Sequence, residues 1–125
     1  MHIDAYGMTD RGQLRSENQD AFFIDTAYQV YAVADGLGGL PGGADASSRI
    51  MELLEKSMGR IAAKEERFDL ADLIIGINQV ISKESIDAYP VTGSGSTLTL
   101  CQIVDEHLLI GHVGDSAAYL LRDGK

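Results

Sequence analysis

The feature that most limits how this chain can fold is a change of hydrophobic period that happens twice. Short apolar runs separated by turn signals occupy the first part. Then Ala46, Ile50, Leu53, Leu54, Met58 and Ile61 recur at helical spacing, with Glu52, Glu55, Lys56 and Arg60 on the other side. A second stripe, Leu70, Leu73, Ile74, Ile77, Val80 and Ile81, begins near Asp69 and stops before Tyr89-Pro90. After Gly93-Ser94-Gly95-Ser96 the pattern returns to short apolar runs. Two consecutive amphipathic helices of this kind pack on each other and over one face of a sheet. The order of strands, helix pair and strands therefore predicts an α+β chain in which Asp45 or Ser47 caps the first helix.

The runs before the helices place the first chemically interesting residues. Residues 3–8 alternate loosely and are expected to form a strand ending in the turn Thr9-Asp10-Arg11-Gly12. Arg15-Ser16-Glu17-Asn18-Gln19-Asp20 is wholly polar and contains one guanidinium, which can hold a phosphate through two hydrogen bonds, and two carboxylates. Residues 21–25 and 29–34 read as a hairpin turned at Thr26-Ala27-Tyr28, so its open end carries Asp20 and Asp35 opposite each other, about 5 Å apart by ladder geometry. Asp35 is followed by five glycines within the eight residues from Gly36 to Gly43. Glycine after a carboxylate lets the chain turn at positive φ and lets a backbone group approach a ligand closely. On pattern alone the stretch is either a glycine turn closed by an aspartate or a strand delivering a metal ligand or catalytic acid to the surface.

Beyond the helices, residues 97–104 and 107–113 read as strands joined at Asp105-Glu106, and Gly114-Asp115-Ser116 separates the second from a further strand over residues 117–121. Asp123-Gly124 is a hairpin turn signal, and Lys125 follows it directly, so the chain is expected to stop within a hairpin.

Composition narrows the functions available. At 125 residues, 45% apolar and 23% charged, the chain has the size and balance of one small globular domain. Its net charge of −9 repels phosphate backbones and anionic headgroups, which disfavours nucleic-acid and membrane-surface partners. The single Cys101 excludes an internal disulfide and fits a reducing compartment, and no apolar run approaches membrane-spanning length. A cytoplasmic setting is expected.

Four ordered motifs carry a family resemblance: Arg15-x-x-Asn18-Gln19-Asp20, Val33-Ala34-Asp35-Gly36-x-Gly38-Gly39, Gly95-Ser96-Thr97, and Val113-Gly114-Asp115-Ser116 with Tyr119 and Arg122-Asp123-Gly124. Together they resemble the N-terminal half of the metal-dependent type 2C serine/threonine protein phosphatases in their compact bacterial form. The resemblance implies part of a four-layer αββα sandwich, with antiparallel sheets and antiparallel helix pairs, and makes residues 1–125 a single incomplete domain. It implies that Asp35 bridges two Mn²⁺ or Mg²⁺ ions, that the Gly36 carbonyl ligates one of them, and that Asp20 helps order water. Asp35 and Asp20 are then the catalytic carboxylates, Arg15 holds the substrate phosphate, and Asp115 matches a ligand of a third, weaker metal. The implied reaction is hydrolysis of a phosphoserine or phosphothreonine ester by a metal-activated water, with no covalent phosphoenzyme.

Departures from the family pattern bear on this. Gln19 stands where some members have glutamate, Leu37 where some eukaryotic members have a histidine, and Ala117 where an arginine usually follows Gly-Asp-Ser. The family's later aspartates would lie beyond Lys125, so metal occupancy is expected to be partial and catalysis by this chain slight or absent. An alternative is a non-catalytic interaction module or pseudophosphatase. Half a sandwich leaves sheet edges and an apolar face uncovered, which predicts a homo-oligomer.

Other chemistries fail on the residues. A cysteine-dependent phosphatase needs arginine six positions after its nucleophile, where Cys101 has His107. Gly36-x-Gly38-x-x-Pro41 lacks the third glycine of a dinucleotide fingerprint, no Gly-Lys-Ser/Thr ends a phosphate loop, and Ser94 and Ser96 lack a nucleophile-elbow sequence. Cys101 is read as a core residue, and His112 as a structural histidine with its hydrogen bonds satisfied.

Overall fold

A computed structural model describes residues 1–37, 42–65 and 67–125; Gly38, Gly39, Leu40 and Pro41 of the glycine-rich stretch lie outside the described residues. The elements run β1 (Asp20–Asp25), β2 (Val30–Asp35), α1 (Gly43–Lys64), α2 (Leu70–Ala88), β3 (Leu98–Val104) and β4 (His107–Val113). The four strands form one antiparallel sheet in the order β1-β2-β3-β4. With a helix pair on one side, this is the α+β arrangement that the change of period predicts.

Local chemistry sets each corner. The Asp25 carboxylate accepts the Tyr28 N–H at 2.8 Å and opens the β1–β2 turn, which Gln29 completes at φ 54°. Asp105 and Glu106 take φ 48° and 65°, the two positive values that a two-residue hairpin needs for its twist to match the strands. The Asp69 side chain accepts the Asp72 N–H and caps α2. At α1 the expected cap is not used. The N-cap is Gly42 in the left-handed region, with no side-chain hydrogen bond, and Asp45 sits in the first turn, where its carboxylate accepts the Tyr89 hydroxyl at 3.1 Å.

The two sheet faces differ sharply. Val30, Ala32 and Ala34 of β2 and Leu98 and Leu100 of β3 point toward the helices and meet Ile50, Leu54, Met58 and Ile61 of α1 and Leu73 and Ile77 of α2. Leu54, Leu100 and Val30 are fully buried there. Across the helix pair, Arg49 donates to both Glu84 oxygens at 2.9 and 3.0 Å and to Glu52 at 3.0 Å, tying the start of α1 to the end of α2 and making the helices antiparallel. On the other face Phe22, Ile24 and Val33 remain 38%, 37% and 46% exposed.

Two expected strands do not form. Residues 3–8 are irregular; they run beside the outer face, with Gly7 against the Phe22 ring, and help to line a cleft of about 390 Å³ that includes Phe22, Val33 and Cys101. Residues 117–121 are also irregular, and Tyr119, Leu120 and Leu121 are exposed. Alternating patterning makes a strand only where a neighbouring strand takes up its backbone donors and acceptors, and the ladder of β4 ends at Val113. The turn beyond does form, with Arg122 and Lys125 exchanging backbone hydrogen bonds of 2.8 and 3.0 Å around Asp123 and Gly124. Among the described residues no helix is long and apolar enough to cross a membrane.

Candidate functional site

The last pair of the β1–β2 ladder is Asp20 opposite Asp35, the register expected from the hairpin. Parity puts both carboxylates on the face away from the helices, since Phe22 opposite Val33 and Ile24 opposite Tyr31 share their side. Two carboxylates so placed repel when both are ionised. The Asp35 carboxyl is accordingly held above its ordinary value of 3.8, first by burial, then by a hydrogen bond with Asp20 that exists only when one of the pair is protonated, and by the charges of Asp20 and Asp115. Arg15 acts in the opposite direction on the same group. Arg15, Asp20 and Asp115 thus all lie within electrostatic reach of Asp35, although they come from an irregular segment, the edge strand and the end of β4.

The polar segment ahead of β1 is braced from within. Asn18 accepts the Asp20 N–H at 3.0 Å and donates to the Thr9 hydroxyl at 2.8 Å. The Gln19 carbonyl accepts the Gly36 N–H at 2.8 Å, and its amide donates to Glu17 at 3.0 Å while packing against Gly43. Gly36 is buried so tightly against the Gly43 carbonyl and the Gln19 carbonyl that a Cβ there has no room. The glycine after Asp35 is therefore required by close backbone packing at the start of α1, at a position where its φ is not positive.

The third strand joins the site through Thr97. Its N–H donates to the Asp35 carbonyl at 2.8 Å, and its hydroxyl accepts the Asp35 N–H at 3.0 Å and pairs with the Ser116 hydroxyl at 2.8 Å. Leu37 donates its N–H to the Gly95 carbonyl at 3.0 Å and lays its side chain against Gly95. Sequence reasoning noted Gly95-Ser96-Thr97 as a motif but gave Thr97 no part. Its signal was a β-branched hydroxyl at the start of a strand, which is too common to stand out.

His112 pairs with the Thr99 hydroxyl at 2.8 Å, so its ring has a partner, but the residue is exposed on the outer face and does not lie inside a core. Cys101 is half-buried on that same face, and burial pushes its thiol above 9.0. Among the described residues no three carboxylate, imidazole or thiol side chains gather closely enough to hold an ion by themselves.

Residues 11–125 match the sequence profile of Protein phosphatase 2C. The chain belongs to the protein phosphatase 2C family. It is 31% identical over 122 residues to the serine/threonine protein phosphatase PstP of Mycobacterium tuberculosis, covering 94% of this chain and 22% of that protein. Serine/threonine phosphatase stp of Listeria monocytogenes is also 31% identical, over 92% of this chain and 48% of the relative. The catalytic domain of PstP, solved in complex with two manganese ions, superposes with a TM-score of 0.71 at 31% identity and covers 93% of this chain and 50% of that one. Stp1 of Staphylococcus aureus superposes at 0.74 with 26% identity, over 98% and 53%. The chain spans about half the length of these solved phosphatase 2C domains and of the Listeria relative, and less of PstP.

Proposed function

We propose that this chain supplies Asp20, Asp35 and Arg15 to the site of a Mn²⁺- or Mg²⁺-dependent phosphatase acting on phosphoserine and phosphothreonine in proteins. The observation that carries this reading is the facing pair of carboxylates. Burial and, after it, the hydrogen bond and charge of Asp20 raise Asp35, and a divalent cation would stabilise the ionised pair in place of the shared proton. All the donors are hard oxygens, the type that Mg²⁺ and Mn²⁺ prefer. Asp35 and the Gly36 carbonyl would hold the ion, with Asp115 at a further position. When bound, the ion supplies Lewis-acid activation of water for hydrolysis of the phosphomonoester. Asp20 would orient that water from the edge strand. The Arg15 guanidinium is exposed and could grip a phosphate with paired hydrogen bonds.

The chain alone, at about half the length of its solved relatives, is proposed to be slightly active or inactive, within a cytoplasmic signalling protein. With Mn²⁺, the full-length gene product should hydrolyse p-nitrophenyl phosphate and a phosphothreonine peptide, and Asp35→Asn should lower the rate by ~100-fold or more, since a catalytic metal supplies several kcal/mol. Turnover that survives both EDTA and Asp35→Asn would refute the metal-site reading. A full-length protein that stays inactive with Mn²⁺ points to a non-catalytic interaction module instead.

The exposed apolar side chains of the outer face and the edge strands β1 and β4 support a further proposal, that copies of this chain associate with one another. Sedimentation at tens of micromolar should then show dimers or larger species, and a purely monomeric boundary would exclude this.

A further inference from the structure

We propose that Thr97 is a positioning residue that locks the Gly114-Asp115-Ser116 turn onto the Asp35 end of β2, and so holds Asp115 at a set place relative to Asp35. The inference rests on the proposed metal site only for its consequence, the effect on ion affinity; the lock itself is a matter of geometry.

Backbone pairing reaches only one side of the site. Past Val33 opposite Thr99, β2 stays paired through the bridge of Gly36 with Ser96 and the Leu37 N–H on the Gly95 carbonyl, whereas the β3–β4 ladder ends at Leu98 opposite Val113, one residue before the turn. Thr97 closes that gap. Its backbone N–H holds the Asp35 carbonyl at 2.8 Å, and its Oγ1 accepts the Asp35 N–H at 3.0 Å. A hydroxyl has one proton and two lone pairs, so after accepting the Asp35 N–H the same oxygen keeps its proton and a second lone pair, either of which can serve Ser116 Oγ, 2.8 Å away. Thr97 is only 3% exposed, so water does not compete for either bond. Packing works in the same direction. Gly114 adopts φ +107°, and a Cβ there would come within 2.6 Å of the Thr97 methyl, so the turn is seated directly on this side chain. One residue thus bonds the backbone on one side of the site and supports the turn that carries Asp115 on the other.

The test compares Thr97→Val, which keeps shape and β-branching but removes both hydroxyl bonds, with Thr97→Ser, which keeps the hydroxyl. In ¹⁵N NMR of the 125-residue chain, Thr97→Val should lower the heteronuclear NOE of the Asp115 and Ser116 amides and speed exchange of the Asp35 amide by about tenfold, the worth of one hydrogen bond. Thr97→Ser should leave both near wild type. By calorimetric titration with Mn²⁺, Thr97→Val should bind about 10- to 100-fold more weakly, as when a group that orients a metal ligand is removed. Unchanged amides in Thr97→Val overturn the lock. Loosened amides with wild-type Mn²⁺ affinity, in a protein whose Asp35→Asn variant has lost affinity, overturn its role in positioning. If Asp35→Asn binds Mn²⁺ as wild type does, the metal-site reading fails, and the NMR comparison still decides the lock. Should Thr97→Val not fold, Ser116→Ala removes the bond from the other side, and an Asp115 amide as rigid as in wild type would count equally against the proposal.

Discussion

The two faces of the sheet are built from the same four strands and have opposite fates. The inner face is largely aliphatic in its central strands β2 and β3, where α1 and α2 cover it, with Val30, Leu54 and Leu100 fully excluded from water. The outer face is mixed. Apolar residues such as Phe22, Ile24 and Val33 occupy its middle, and Asp20, Asp35 and Thr97 stand at one end. Alternation along each strand makes this division unavoidable, since every second residue is committed to one side. A closely packed face can supply rigidity, whereas charged groups keep their chemistry only where they meet solvent or a ligand. The site is therefore anchored from behind, by backbone contacts such as Gly36 against Gly43, and presented from the front.

This contrast can be broken most forcefully at Leu54. Leu54→Ala removes a fully buried side chain between helix and sheet and should cost about 2–5 kcal/mol in urea unfolding. Val33→Ala on the outer face, where the side chain is 46% exposed, should cost about 1 kcal/mol or less. Equal costs would mean that something covers the outer face in solution, and a concentration dependence of the Val33→Ala effect would identify it as a second copy.

A smaller effect sharpens the comparison at the charged end. Because the folded state holds Asp35 above its ordinary 3.8, the folded protein binds a proton more tightly than the unfolded chain. Without metal, this group should lower stability as pH rises from about 3.8 through the raised value, and the loss should persist above it. Asp35→Asn should flatten that portion of the stability-pH profile and leave the metal-free protein slightly more stable at pH 7, while excess Mn²⁺ should reverse the order of the two proteins. Thermal unfolding across pH 3–8, with and without Mn²⁺, measures all of this. An unchanged pH slope in Asp35→Asn would show that neither burial nor the facing Asp20 perturbs this carboxyl.

Much of this was legible in the residues, and the exceptions have physical causes. The helices were readable because a stripe repeated over about three to four turns is unambiguous, and the hairpin because Asp25, the polar turn and the alternation agree. The register of Asp20 against Asp35 followed from that hairpin alone, since a two-strand ladder is a local object. Residues 3–8 and 117–121 were misread because their alternation is real, but strand formation also requires a neighbour that sequence does not name. The cap of α1 was missed because the helix begins before its apolar stripe, at Gly43 with Gly42 as N-cap, which leaves Asp45 inside the first turn, where it accepts the Tyr89 hydroxyl.

By itself, the sequence determined the family through four ordered motifs, the helix pair through hydrophobic period, and the pairing of two carboxylates at one hairpin end. All of these depend on spacing within short segments. Tertiary structure alone decided that Arg15 and Asp115 come within electrostatic reach of that pair, that Gly36 is needed for its lack of a Cβ, and that Thr97 bonds to both sides of the site. These relations join residues far apart in the chain, such as Asp35 and Thr97, 62 positions apart, and they exist only once the core has closed behind the sheet.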